Sequence, residues 1–327
     1  MKSYRRLTLA LLLSSGLIGC ATTTPVAQTP PYTALAHAAP RAEVPLDLES
    51  DHTVSGLFIA GATALREGRA GDAARFFDRA TEIAPEEDKG YLREHTFTAA
   101  IMAGDIERAA RTAPADAEAD GYKLGRLVVA VDDLATGEGQ AAYDILKTEN
   151  LGPAYRMAAD LVRPWAALAA GDTVAAIGQR VAIDSPQQVV PALNQARILE
   201  AAGRAQEAGT IYASLSDRAP GVSLFALAQG GNLERQGLRR EALARYDAFL
   251  AQAPGDARVT LARTRAARRQ PAEPLPSIQA GAGSALLLAA KQALDQRALE
   301  TGIAYLQLSL RLDPDDGEAL IMMGDYL

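Results

Sequence analysis

Three stretches of this chain carry small, aromatic and proline residues at the same offsets, and that spacing limits the possible folds more than any other feature. Residues 54–85, "VSGLFIAGATALREGRAGDAARFFDRATEIAP", align with residues 223–254, "SLFALAQGGNLERQGLRREALARYDAFLAQAP". Glycine stands at the eighth position (Gly61, Gly230) and at the fifteenth (Gly68, Gly237). Alanine takes the twentieth (Ala73, Ala242), an aromatic the twenty-fourth (Phe77, Tyr246) and proline the last (Pro85, Pro254). Residues 189–220 repeat the scheme with Ala196, Gly203, Ala208, Tyr212 and Pro220, beginning 34 residues before position 223. Such a period marks a stacked array of short units rather than one globular core.

Each position has a mechanical reason. Positions eight and twenty are small because two antiparallel helices touch there, and a larger side chain would push their axes apart. The glycine ends the first helix by taking φ > 0, and an aspartate after glycine (Gly71-Asp72, Gly104-Asp105, Gly171-Asp172) is placed to cap the second. The aromatic fills the gap between helices, and the closing proline stops the second helix without orphaning an N–H. The pattern resembles the tetratricopeptide repeat, a 34-residue helix–turn–helix. The resemblance implies an all-α fold, a right-handed α-solenoid of stacked antiparallel helix pairs whose first helices line a concave groove.

Weaker copies are expected between the strong ones. Inter-helix turns are readable around Gly104, Gly137 and Gly171, and "GQAAYDIL" and "GDTVAAIG" read as second helices, while Pro114 shortens one helix and Pro164 falls inside another. After Pro254, "DARVTLARTRAARR" reads as the first helix of a new pair, but Pro271, Pro274 and Pro276 forbid the second. The expected organisation is therefore a solenoid block over 51–269, a Pro-rich hinge over 270–280 and further repeats over 281–327, restarting near Gly283 with Ala290, Gly302, Leu306 and Pro314 in place. The final "GEALIMMGDYL" matches the opening of another repeat, which predicts that the array extends past residue 327 or leans on something else there.

The beginning of the chain predicts an address. Lys2, Arg5 and Arg6 precede an apolar stretch too short to span a bilayer comfortably. Leu17-Ile18-Gly19-Cys20 then resembles the lipobox of bacterial lipoproteins, and Cys20 is the only cysteine of the 327 residues. That resemblance implies a signal over 1–19, cleavage before Cys20 and a thioether-linked diacylglyceryl anchor on its sulfur, with Ala21 implying export to the outer membrane, facing the periplasm. Two or more acyl chains give stable anchoring. The Thr- and Pro-rich 20–50 reads as a disordered tether standing the folded part off the membrane.

Composition removes several chemistries. A net charge of −7 argues against nucleic acid as a partner. One cysteine excludes an internal disulfide framework, and three histidines (His37, His52, His95) without ligand spacing leave no expected metal or cofactor. "DPDDGE" over 313–318 fits an inter-repeat turn rather than a calcium loop, and Arg263, Arg265, Arg268 and Arg269 read as a solvated helix face. No acid–base pair or nucleophile can be argued, so no enzyme is expected.

The resemblance places groove-facing residues at positions two, five, nine, twelve and thirteen of each repeat. Here these include Phe58, Arg66, Leu193, Arg197, Glu200, Leu227, Glu234, Arg235 and Lys291. Mixed charge over apolar contacts suits an extended peptide or a helix of a protein partner. The family's carboxylate clamp needs Lys and Asn at positions five and nine; Phe58 and Ala62, then Leu193 and Arg197, stand there instead, which argues against a chaperone tail. The expected role is a non-catalytic scaffold for envelope assembly. The alternatives are a regulator or adaptor of a periplasmic peptidoglycan or polysaccharide enzyme, and an enzyme whose catalytic domain lies beyond residue 327.

Overall fold

The computed structural model describes residues 52–326. The expected signal, Cys20 and the 20–50 tether lie outside the described residues, as does Leu327. Among the described residues every regular element is a helix. Six successive pairs come first: α1 (Val54–Arg66) with α2 (Ala70–Ile83), α3 (Glu86–Ala103) with α4 (Ile106–Thr112), and α5 (Tyr122–Thr136) with α6 (Gly139–Thr148). Then follow α7 (Gly152–Ala169) with α8 (Thr173–Ile177), α9 (Val189–Ala201) with α10 (Ala205–Arg218), and α11 (Ser223–Arg235) with α12 (Arg239–Leu250). The remainder is α13 (Ala257–Ala267), α14 (Ile278–Asp295), α15 (Leu299–Leu312) and α16 (Gly317–Tyr326). Each helix packs on the next along most of the chain, the arrangement of an α-solenoid.

The turns follow the expected chemistry with one correction. Gly68, Gly104, Gly137, Gly171, Gly203 and Gly237 all take positive φ between their paired helices. The Asp105 and Asp172 side chains accept the N–H groups of Arg108 and Ala175, capping α4 and α8. Asp72 does not cap α2. The turn glycine there is Gly68, so α2 starts three residues earlier with Arg69 as its N-cap, and Asp72 sits in the first turn paired with Arg69 and Arg75.

Positions eight and twenty-four interlock. A Cβ added at Gly230 would lie 2.2 Å from the Tyr246 ring, and one at Gly61 would lie 2.6 Å from the Phe77 ring. The aromatic edge occupies the space that the missing side chain leaves. Gly230→Ala is therefore expected to destabilise by about 1–3 kcal/mol, the usual range for overpacking. Chemical denaturation would measure this, and a neutral result would mean that α11 and α12 are further apart than described.

Beyond α13 the stack stops adding pairs side by side. Residues 271–277 form a helix-free strap, consistent with their prolines, and deliver α14 back onto α7 and α9. Its partner α15 lies against α5, α3 and α4. The reason is compositional. α14, "IQAGAGSALLLAAKQALD", is apolar on nearly every face, and such a helix must be surrounded. Gly281, Ala282, Gly283, Ala285, Leu286, Leu287, Ala289, Ala290 and Ala293 are all buried. Burial of Leu286 and Leu287 alone contributes about 1.5–3 kcal/mol each. Polar bonds fix the seating: Tyr305 Oη donates to the Ala154 carbonyl at 2.9 Å and Arg311 Nε to Asp132 Oδ1 at 2.8 Å. Ser309 Oγ donates to the Gly283 carbonyl at 2.9 Å, closing the α14–α15 pair on itself.

Candidate functional site

The first helices of the pairs carry most of the expected groove residues, and the structure divides these into three groups. The first is used internally. Glu200 on α9 accepts from Tyr212 Oη at 3.2 Å, Asn232 Nδ2 at 2.9 Å and Arg235 Nε at 2.9 Å. Glu234 on α11 accepts from Tyr246 Oη at 2.8 Å and Arg265 Nη2 at 2.8 Å. Glu200 and Glu234 stand 34 residues apart, as do Tyr212 and Tyr246, so one hydrogen-bond ladder is built twice. Burial and, for Tyr212, the Glu200 charge raise that phenol above its ordinary pKa. Burial and the Glu234 hydrogen bond do the same to Tyr246. Both glutamate side chains are only 3% exposed, so neither is presented to a partner.

Arg265 belongs to this ladder too. The expectation of a solvated basic face over 263–269 is corrected for this residue, whose side chain is 15% exposed and pairs with Glu234 and Glu273. The strap is what draws it inward: Arg235 Nη1 also donates to the Glu273 carbonyl at 3.1 Å. Arg263 pairs with Asp247 at the surface.

The second group packs. Leu193 is fully buried within the core of α9, α10 and α11. Leu227 is half-buried beneath the strap. Lys291 lies on the returning helix α14 and pairs with Glu318 at 2.7 Å.

The third group stays open. Phe58 on α1 joins Phe77, Tyr91 and His95 in a cluster of rings whose centroids lie 4.5–5.8 Å apart. Tyr91 is 59% exposed, so the cluster faces solvent on one side. Burial holds the His95 imidazole below its ordinary pKa, against the charge of Glu94. Arg66 is exposed and bonded to Thr63 of its own helix. Tyr91 and His95 were missing from the sequence-derived set because α3 belongs to one of the weak copies.

Arg197 stands apart. It lines a cavity of about 240 Å³ roofed by Glu273, Pro274, Leu275 and Pro276 of the strap. Trp165, the only tryptophan, forms another wall; its Nε1–H donates to Asn194 Oδ1 at 2.8 Å. A second cavity, of about 600 Å³, opens between α7, α8 and α9, where Gln195 holds the following loop through the Val181 N–H and the Gln179 carbonyl.

No protein-family model matches this chain, and no curated protein does. Among the described residues no three His, Cys, Asp or Glu side chains gather where a metal ion could be held. No described helix is long and apolar enough to cross a membrane.

Proposed function

We propose that this chain is a non-catalytic, protein-binding scaffold of the tetratricopeptide type, a right-handed superhelix anchored to the outer membrane through lipid on Cys20 and facing the periplasm. One observation supports the binding part of this reading: the helices already hold a helix-free segment of the chain itself. The strap 271–277 lies across α11 and α13, with its backbone taken by Arg235 and its carboxylate by Arg265. A partner segment of similar character would use the inner surface that the strap and α14–α15 leave free, at the ring cluster of Phe58, Tyr91 and His95. Aromatic rings with one exposed face favour proline, aliphatic or aromatic side chains of such a segment. The ladder of Glu200, Tyr212 and Arg235 repeating at Glu234, Tyr246 and Arg265 adds buried chemistry to the small-residue spacing on which the family resemblance rests.

The test joins anchoring and binding. Cells expressing the protein are grown with labelled palmitate, and the envelope is solubilised in detergent. Label on the wild type but not on Cys20→Ala is expected, together with a stable protein partner lost in the doubly substituted Phe58→Ala, Tyr91→Ala variant. An unlabelled wild type would remove the anchor. A partner retained undiminished by the double variant, or the lack of any partner, would remove the binding reading.

A further inference from the structure

Arg197 is an anomaly that the scaffold reading does not use. The two carboxylates that line the same cavity, Glu200 and Glu273, are engaged by Arg235 and Arg265. Among the described residues Arg197 itself makes no hydrogen bond and no ion pair, although it is only part-exposed. Burial lowers its pKa below the ordinary arginine value, with Tyr212 and Asp316 opposing at longer range. Its guanidinium faces the cavity with no protein acceptor, so an anion that supplies two acceptors could take up its fork of N–H donors.

The cavity around it limits which anion. Leu224, Leu227, Pro274 and Leu275 give it apolar walls, suited to a carbon skeleton rather than to a bare inorganic ion. Its volume of about 240 Å³ accommodates a small molecule. The strap lies over it, and Gly281 and Ser284 of α14 line one side. Glu200 and Glu273 on its border disfavour a doubly charged ligand.

We infer that the strap-roofed cavity is a binding site for a small organic monocarboxylic acid, held by a bidentate contact from Arg197 with its apolar body against Leu227, Pro274 and Leu275. The inference stands apart from the scaffold reading, since it concerns a cavity away from the Phe58 cluster and needs no protein partner.

Trp165 supplies the readout, because the single indole of the chain lines the same cavity. The full chain, in a buffer free of carboxylates, is titrated with acetate, benzoate, inorganic phosphate and a short Asp/Glu-containing peptide while tryptophan fluorescence is followed. Benzoate is expected to give a saturable change and to raise the melting temperature, with acetate weaker for lack of an apolar body. Arg197→Gln is expected to weaken benzoate about 10- to 100-fold, the range for losing a charged hydrogen-bond pair. The same variant is expected to melt no lower than the ligand-free wild type, because it removes a cation without a partner; this keeps a folding defect from mimicking the result. No saturable change with benzoate, or one unaltered in Arg197→Gln, overturns the proposal. Phosphate or the peptide binding more tightly than benzoate overturns the small-acid assignment.

Discussion

Trp165→Ala is expected to lower the free energy of unfolding by about 3–5 kcal/mol, the range for deleting a large buried aromatic side chain. The residue is fully buried and is the largest such side chain among the described residues. It joins three helices that are distant in sequence. It stands on α7, its indole N–H is bonded to Asn194 on α9, and its ring edge rests on Gly281 of α14, where an added Cβ would lie 2.3 Å away. Removing it empties the space into which α14 is seated and leaves the Asn194 oxygen without its donor, while the Asn194 amide still reaches the Leu161 carbonyl at 2.8 Å. The orphaned oxygen adds about 1–3 kcal/mol where water cannot reach it. Trp165→Phe refills most of the volume and loses only the hydrogen bond, so a smaller loss of about 1–3 kcal/mol is expected. Urea unfolding followed by circular dichroism gives both numbers. A cost below about 1 kcal/mol for the alanine variant would mean that α14 does not depend on α7, and the returning helix would have to be placed elsewhere.

That returning helix marks the limit of what local spacing can say. The small–aromatic–proline pattern located the pairs α1–α2, α9–α10 and α11–α12, because each constrained residue acts inside its own pair: Gly61 under Phe77, Gly230 under Tyr246. Turn glycines found the weaker pairs for the same reason, since positive φ is a local demand. The prolines at 271, 274 and 276 announced an interruption, but a break in helix carries no direction. A signal for the destination existed in composition. Between Ile278 and Asp295 the only charged residues are Lys291 and Asp295 itself, whereas the shorter α12 carries Arg239, Arg240, Glu241, Arg245 and Asp247. A helix apolar all round asks to be enclosed, and α7, α9 and its own partner α15 enclose it.

The candidate site was legible as positions and not as partners. Position twelve was assigned to the groove for both Glu200 and Glu234, yet both carboxylates are sequestered by tyrosines from their own second helices. Reading the glutamates together with Tyr212 and Tyr246, each twelve residues further on, would have exposed the ladder. Phe58, at position five of the first repeat, is half-buried against Phe77 and His95, and its cluster meets solvent through Tyr91 of α3.

The ladder makes Glu200 the second position of large expected effect. A solvated groove residue exchanged for alanine changes stability by no more than about 0.5 kcal/mol. Glu200→Ala is instead expected to cost about 1.5–3 kcal/mol, since it removes the acceptor of the Tyr212 hydroxyl and of Arg235 Nε, while Asn232 keeps the Ala205 carbonyl and Arg235 the Glu273 carbonyl. Much of that cost is the penalty of the abandoned cation rather than the worth of the pair. It follows that the double variant Glu200→Met, Arg235→Met should be more stable than either single variant, and close to the wild type if the methionines fill the space. Glu234→Ala should repeat the loss through Arg265 and Tyr246, one period along the chain. The two alanine variants should not add, because Asn232 and Arg235, which serve Glu200, sit on the same turn of α11 as Glu234. Denaturant unfolding of the six variants, the three alanine and the three methionine ones, measures all of this. Near-neutral alanine variants would return both glutamates to solvent, and the ladder would then hold neither α9 to α11 nor α11 to α13.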